Sequence, residues 1–372
     1  MIYPPTLFII QPNKDFLVFF WYNLIGGYMT DEMYKNLNYY LSGCFQILEK
    51  NDFFLIENIL PISIMGDNLL SLLSNYNLKE DNPQDNLTYN DVYLLAREII
   101  EKIDKNYLKY YDKLIESGEL DFSYEHSYYD SNCQHNFATG KNIININRRF
   151  NYLDVSTLVH EFMHYTNNLT NDCTINRHIL TEAISIYYGE FAKKYLLEKG
   201  IDKSKLWLNE RLYDISNSLR RFNKYNILLL AYSKFGNIDK NTYKMLNKFF
   251  LNIPSDDFEK ICINALKILD KKSEETFFET KMKHGEIPND YEAILFNELI
   301  KLVNIDYRYI FGTVIAYNAL QYSSIEKMTN LNNHVNDLGV SLNNLLKLIN
   351  IELKNLSLEP IEKFLNGEGK TK

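Results

Sequence analysis

The stretch STLVHEFMHY (residues 156–165) decides how the rest of this sequence is interpreted, because it contains the pattern H-E-x-x-H. Its apolar pairs, Leu-Val and Phe-Met, predict a helix with one buried face. On such a helix His160 and His164 lie one turn apart on the same face. Two imidazoles in this arrangement can bind one Zn²⁺, and Glu161 then lies where it can take a proton from bound water. The sequence therefore predicts one zinc ion per chain.

A catalytic zinc site needs a third protein ligand and an open position for water. Glu182 is the best candidate, because it follows His164 by eighteen residues within an otherwise apolar helical stretch, where an unpaired carboxylate would be costly to bury. Glu190 is the main alternative and His178 a weaker one. The polar segment 167–176 can reverse the chain, so that the helix carrying Glu182 packs against the first helix.

The partners that orient the two imidazoles through their outer ring nitrogens stay open at this point. Side chains able to form such hydrogen bonds are Asp154, Asn168, Ser185 and Glu190. Asp154 and Ser156 are also the candidates for the N-cap of the first helix, since both side chains accept hydrogen bonds from backbone N–H groups.

Helical periodicity dominates the chain from about residue 90 onward. The predicted helices are 90–118, 178–199, 205–234, 241–252, 255–270, 290–303, 307–323 and 334–350. The strand candidates are the first 25 residues, 53–64 and 142–147. The predicted fold class is mainly α, with an N-terminal subdomain (1–85) and an α-rich catalytic domain (86–372), or both as one continuous body.

Composition limits the classes of protein to which this chain can belong. Of its 372 residues 46% are hydrophobic, enough for a sizeable core. The net charge of −8 comes from mixed acidic and basic residues without the basic stripe that nucleic-acid binding needs. Prolines and charges interrupt the apolar N-terminus before a signal peptide or membrane span could form. Four widely spaced cysteines predict reduced thiols in a cytoplasmic protein. The sequence leaves the oligomeric state open.

Three stretches resemble a known family. KNIININRRFNYLDVSTLVHEFMHYTNN (141–168) is similar to the segment around the zinc motif of oligoendopeptidase F and its thimet-oligopeptidase relatives. Glu182-Ala183-Ile184-Ser185 matches the metal-binding glutamate of these gluzincin metallopeptidases, followed by a small hydroxyl residue. YRYIFG (307–312) is similar to their downstream tyrosine block. The resemblance covers residues 130–325, and the motifs occur in the same order.

The resemblance implies a zincin-like helical bundle that hydrolyses bonds in peptides or unfolded polypeptides, with Glu161 as the general base. It implies that strand 142–147 is the edge strand of a small β-sheet, lines the active-site cleft and pairs with an extended substrate. It further implies that Tyr309 donates to the oxyanion of the tetrahedral intermediate, with Tyr307 as the second candidate.

The sequence departs from the family pattern at three points. Met163 replaces a glycine of the family motif, which is compatible with the fold if this face points into the core. The spacing from His164 to Glu182 is shorter than usual, so the connecting loop must be trimmed. The family's histidine before the tyrosine block has no counterpart, and Asn297 lies in that region.

Three other functions remain open from the sequence. A zinc aminopeptidase has a similar ligand spacing, but a G-x-M-E-N-like segment for the substrate's amine is missing. A peptide-binding pseudoenzyme could retain the zinc, although a structural site has no need of Glu161. A helical scaffold in which the motif is accidental would bind no metal.

Overall fold

A computed structural model describes most of the chain, and within the described residues the protein is mainly helical with one small sheet of three strands. The described residues are 29–51, 65–66, 68–79, 83, 85–122, 131–136, 141–167, 175–249, 254–335 and 341–367. The mainly α fold class is thereby confirmed. The predicted strands in the first 25 residues and at 53–64 lie outside the described residues.

The helices and strands with defined bounds are labelled in chain order. The α-helices are α1 Asp31–Asn51, α2 Tyr89–Ile103, α3 Leu108–Glu116, α4 Leu153–Thr166, α5 Ile175–Glu198, α6 Glu210–Phe235, α7 Thr242–Phe249, α8 Ser255–His284, α9 Tyr291–Tyr322, α10 Ile325–His334, α11 Leu342–Lys347 and α12 Glu359–Leu365. Short 3₁₀ turns lie at Lys105–Tyr107, Lys203–Lys205 and Leu353–Asn355. The strands are β1 Leu120–Asp121, β2 Asn132–Asn136 and β3 Lys141–Asn145.

The predicted helix over 90–118 is two helices, because the chain turns extended at Asp104. α2 begins with a capping box, in which the Thr88 side chain accepts from the Asp91 backbone and the Asp91 carboxylate accepts from the Thr88 backbone. The Asp104 carboxylate accepts a hydrogen bond from the Asn106 N–H and caps the 3₁₀ turn that precedes α3. The apolar periodicity continues across Asp104, so the periodicity alone does not predict that the helix ends there.

Two other helix predictions differ from the structure in their continuity. The predicted helices 290–303 and 307–323 form the single helix α9, because no proline or glycine interrupts the sequence between them. The prediction of one helix over 334–350 was wrong. Within that range α11 begins after Ser341, whose side chain accepts a hydrogen bond from the Asn344 N–H.

The predicted edge strand at 142–147 is the middle strand of the sheet, which corrects the sequence prediction. β3 pairs with β1 in parallel, with Leu120 opposite Ile144, and with β2 antiparallel, with Cys133 opposite Ile144. The sequence of β2, NCQHN, contains no β-branched residue and therefore no strand signal. Within the described residues β3 is the one strand neighbour of β2, so β2 lies at an edge.

The structure divides the chain into two compact units. One takes its described residues from Met1–Ile47 and Ile227–Leu299, and the other takes them from Leu48–Asn226 and Ile300–Lys372. The candidate ligands His160, His164 and Glu182 lie in the second unit, together with Glu161 and Tyr309, whereas Asn297 lies in the first unit. The division into 1–85 and 86–372 stays a prediction.

The core of the second unit includes the packing of α4 against α5. The apolar side of α4 is fully buried at Leu158, Val159, Phe162 and Met163. The ring of Tyr111 meets Phe162 edge-on, with the ring centroids 5.3 Å apart. Met163 therefore fits into the core, as the sequence predicts, and the other side of α4 is free to carry polar groups.

Two further expectations from the sequence concern membrane-spanning segments and the cysteines. None of the described helices combines the length and the apolar character that a membrane crossing requires. Cys44, Cys133 and Cys262 are free thiols, whereas Cys173 lies outside the described residues. The cytoplasmic location stays a prediction.

Candidate metal centre

Side-chain hydrogen bonds connect the start of α4 with the residues that precede the helix. The N-cap position is Tyr152, which makes no capping hydrogen bond with its side chain. The Asn151 side chain accepts from the first backbone N–H of the helix at 2.9 Å. The Asp154 carboxylate accepts from two backbone N–H groups of the preceding turn, one of them at Phe150, whose φ is 58°. The prediction that Asp154 or Ser156 is the N-cap was therefore wrong.

The structure brings His160, His164 and Glu182 together. The two histidine Nε2 atoms are 3.2 Å apart. Glu182 Oε1 lies 3.7 Å from His160 Nε2, and Glu182 Oε2 lies 3.5 Å from His164 Nε2. One donor atom of each residue lies within 4.8 Å of the other two. Two ligands about 2.1 Å from a tetrahedral ion are about 3.4 Å apart, so this donor set fits a single zinc ion.

The charge states of Glu182 and His160 also fit a metal. Glu182 is 2% exposed, and its Oε1 makes no hydrogen bond within the described residues. Burial acts to raise the pKa of Glu182, but the hydrogen bond with His164 and the nearby charges hold this pKa well below its usual range. Burial and the Arg211 charge hold the pKa of His160 well below its usual range. A neutral imidazole and a buried carboxylate are the forms that bind zinc.

Glu161 lies beside this cluster, with its Oε1 4.0 Å from His160 Nε2. Its side chain is buried, and burial raises the pKa of Glu161 to about 7, although the nearby His164 opposes the rise. A carboxyl group with a pKa near neutrality can both accept and release a proton at neutral pH.

The alternative ligands do not join the cluster. The Glu190 carboxylate accepts a hydrogen bond from Lys193 Nζ at 3.0 Å, and Lys193 also pairs with Glu210 at 3.3 Å. Burial lowers the pKa of His178 to about 4. Within the described residues, the group of potential ligands contains Glu182 and neither Glu190 nor His178.

Of the candidates for orienting the imidazoles, Ser185 contacts His160, but through its backbone. A backbone hydrogen bond links the two residues, whereas Ser185 Oγ is buried and has no hydrogen-bond partner within the described residues. Asp154 braces the preceding turn, and Glu190 pairs with lysine. Asn168 lies outside the described residues.

Gly312 allows α9 to approach α5 closely at the site. A β-carbon at this position would lie 3.0 Å from Glu182 Cγ and 3.2 Å from the backbone nitrogen of Ala183. These distances are shorter than ordinary van der Waals contacts, so a glycine is needed where the two helices cross. The glycine of the tyrosine block therefore has a packing reason that the sequence does not reveal.

One turn before this glycine, α9 carries Tyr309 into the cavity beside the cluster. Arg308 Nη2 donates a hydrogen bond to the Tyr309 hydroxyl at 2.8 Å. Tyr307 belongs to α9, but its side chain lies outside the described residues. Asn297, which lies in the region of the missing histidine, is exposed.

A cavity of about 470 Å³ opens at the cluster and is lined by the three candidate ligands, by Glu161 and by Tyr309. Arg211 and Arg308 also line it, although the sequence does not mark either of them as functional. Arg211 lies in the first turn of α6, and its Nη2 lies 3.4 Å from Glu182 Oε1. The position of Arg211 depends on a contact between residues that are far apart in the sequence, and no local pattern predicts such a contact.

Comparisons with protein-family models, with curated proteins and with solved structures find no match to this chain.

Proposed function

We propose that this protein is a zinc-dependent peptidase that hydrolyses bonds in peptides or unfolded polypeptides. The observation that supports this proposal is the convergence of His160, His164 and Glu182, with Glu161 beside them at the wall of a cavity. The two imidazoles and one carboxylate would hold the ion. When bound, zinc polarises the scissile carbonyl and lowers the pKa of a bound water to about 7.

Glu161 is the general base of the proposed reaction. With a pKa of about 7 it can take a proton from the attacking water at neutral pH. The water oxygen bonds to the carbonyl carbon, the C–N bond breaks, and Glu161 passes the proton to the leaving amine. The carboxylate is then restored for the next cycle.

Tyr309 is the proposed donor to the negative carbonyl oxygen. An arginine side chain has donors and no acceptor, so the Tyr309 oxygen must accept the hydrogen bond from Arg308. The single hydroxyl hydrogen of Tyr309 is then available for the substrate. Burial raises the pKa of Tyr309, so the phenol keeps this hydrogen at neutral pH.

An extended substrate segment would pair with the edge strand β2. The first residues of this strand, Asn132 and Cys133, line the cavity, and an edge strand offers backbone N–H and C=O groups for such pairing.

We also propose a cytoplasmic location, with which the free thiols at Cys44, Cys133 and Cys262 agree.

The proposal is tested by zinc stoichiometry together with cleavage of a mixed-peptide library. Glu161→Gln keeps the three proposed ligands, so we expect one zinc in the wild type and in this variant. Cleavage should fall by about 10²- to 10⁴-fold in the variant, because the general base is lost. Glu198→Gln changes an exposed glutamate on α5 and serves as the matched control, with both properties unchanged.

Other outcomes would favour the alternative functions. Bound zinc without cleavage by either protein would favour a peptide-binding pseudoenzyme. Release of single residues from free amino termini would favour an aminopeptidase. Absence of zinc from both proteins would contradict the metal centre.

A further inference from the structure

Two arginines flank the ring of Tyr309 at the wall of the cavity. The guanidinium carbons of Arg211 and Arg308 lie 5.9 and 4.7 Å from the ring centroid. Both side chains line the cavity next to the proposed metal ligands. They come from α6 and α9, so the fold, and not a local motif, produces this pair.

The two guanidinium groups differ in their partners. Arg211 Nη2 lies 3.4 Å from Glu182 Oε1 and 3.3 Å from both ring nitrogens of His160. Arg308 donates one hydrogen bond, to the Tyr309 hydroxyl, and its Nε is buried without a hydrogen-bond partner in the described residues. No carboxylate whose side chain the structure describes forms an ion pair with Arg308. Burial removes water contacts from this guanidinium, and no ion pair with a described carboxylate replaces them.

The charge balance of the site favours an anionic ligand. The charges of the side chains that line the cavity nearly cancel, because five are acidic and four are basic: Glu161, Glu182, Glu190, Glu210 and Asp214 against Arg149, Lys193, Arg211 and Arg308. A bound zinc ion would add a double positive charge, so the loaded site would be net positive. A cavity with such a field attracts anions and binds neutral groups less well.

We infer that Arg308, with Arg211 beside it, binds a carboxylate of the substrate close to the scissile bond. Arg308 Nε has no hydrogen-bond partner among the described residues, and a carboxylate can accept from two N–H groups of one planar guanidinium. This inference rests on the proposed peptidase function and names its substrate class. The carboxylate belongs either to the free C-terminus of a short peptide or to an acidic side chain.

The test measures peptide binding by calorimetry, with the Glu161→Gln protein in its zinc-loaded and chelator-treated forms. Three peptides of one sequence are compared: the free acid, the C-terminal amide, and an amide with glutamate as the last residue. We expect the free acid or the glutamyl amide to bind about 10- to 100-fold more tightly than the plain amide. Whichever of the two binds more tightly identifies the source of the carboxylate.

Variants at Arg308 connect this preference to the guanidinium. Arg308→Gln added to the same protein should remove the preference, and Arg308→Lys, which keeps the charge, should retain part of it. Arg97→Gln is the matched control, because Arg97 pairs with Asp112 at the protein surface and should leave the preference unchanged.

Failure of this inference is distinguishable from failure of the proposed function. Equal affinity for all three peptides, or a preference that survives in Arg308→Gln, overturns the carboxylate site even if the wild type binds zinc and cleaves peptides. A preference that depends on Arg308 supports the site even if the wild type cleaves nothing.

Discussion

Glu161 combines a buried position with an ionisable group, and this has a measurable effect on stability in the metal-free protein. Its folded pKa of about 7 lies above the usual carboxyl value of 4.5, so the folded state holds this proton more tightly than the unfolded state. Glu161 therefore contributes its full share to the free energy of unfolding below pH 4.5, where it is protonated in both states. This contribution is lost as the pH rises through 7. Ionisation of the buried carboxyl is the physical cause.

Replacement by glutamine removes this titration. The measurement is urea unfolding of the chelator-treated proteins at pH 5 and at pH 8. We expect the free energy of unfolding of Glu161→Gln, relative to that of the wild type, to be higher at pH 8 than at pH 5 by about 2–3 kcal/mol. Glu198→Gln alters an exposed carboxyl and should show no such gain. A Glu161→Gln difference that is equal at the two pH values would contradict the raised pKa.

At the scale of helices, two glycines near the site differ in the space that their surroundings leave for a β-carbon. A β-carbon at Gly189 on α5 would lie 3.6 Å from His160 Cβ, an ordinary contact, whereas one at Gly312 on α9 would lie 3.0 Å from Glu182 Cγ. Alanine is favoured over glycine inside a helix by about 1 kcal/mol. The two substitutions therefore share a helix-propensity gain and differ in packing.

We expect Gly312→Ala to lower the free energy of unfolding by about 1–3 kcal/mol and to weaken zinc binding, because α9 must move away from Glu182. Gly189→Ala should be neutral or stabilising and should keep the zinc affinity. Denaturant unfolding and zinc titration of both variants provide the comparison. Equal behaviour of the two variants would mean that the close approach of α9 to α5 is unimportant for the site.

The sequence predicts those parts of the site that depend on spacing within one or two helices. His160 and His164 are a helical turn apart, and Glu182 is a carboxylate in an apolar stretch, so both features are visible in the sequence. Arg211 and Arg308 could not be selected in this way, because their position depends on how α6 and α9 pack. Polar side chains also decide features that apolar periodicity misses, as at Asp104, where the helix over 90–118 ends early.

At the scale of the whole molecule, the proposed zinc would link α4 to α5 within the second compact unit. A ligand that binds only the folded state stabilises it, by about 2.7 kcal/mol at a free concentration 100-fold above its Kd. Hydrogen exchange measures such stabilisation region by region. Zinc should therefore slow exchange by up to about 100-fold in Leu153–Thr166 and Ile175–Glu198.

The first unit contains none of the three ligands, so its helix α8 serves as an internal reference. We expect zinc to leave exchange in α8 unchanged while it slows exchange in α4 and α5. Glu182→Gln removes one ligand from α5 and should abolish most of the slowing, because the link between the two helices is lost. Equal slowing in α8, or slowing that persists in Glu182→Gln, would show that zinc binds elsewhere on the protein and that the histidine and glutamate cluster does not hold it.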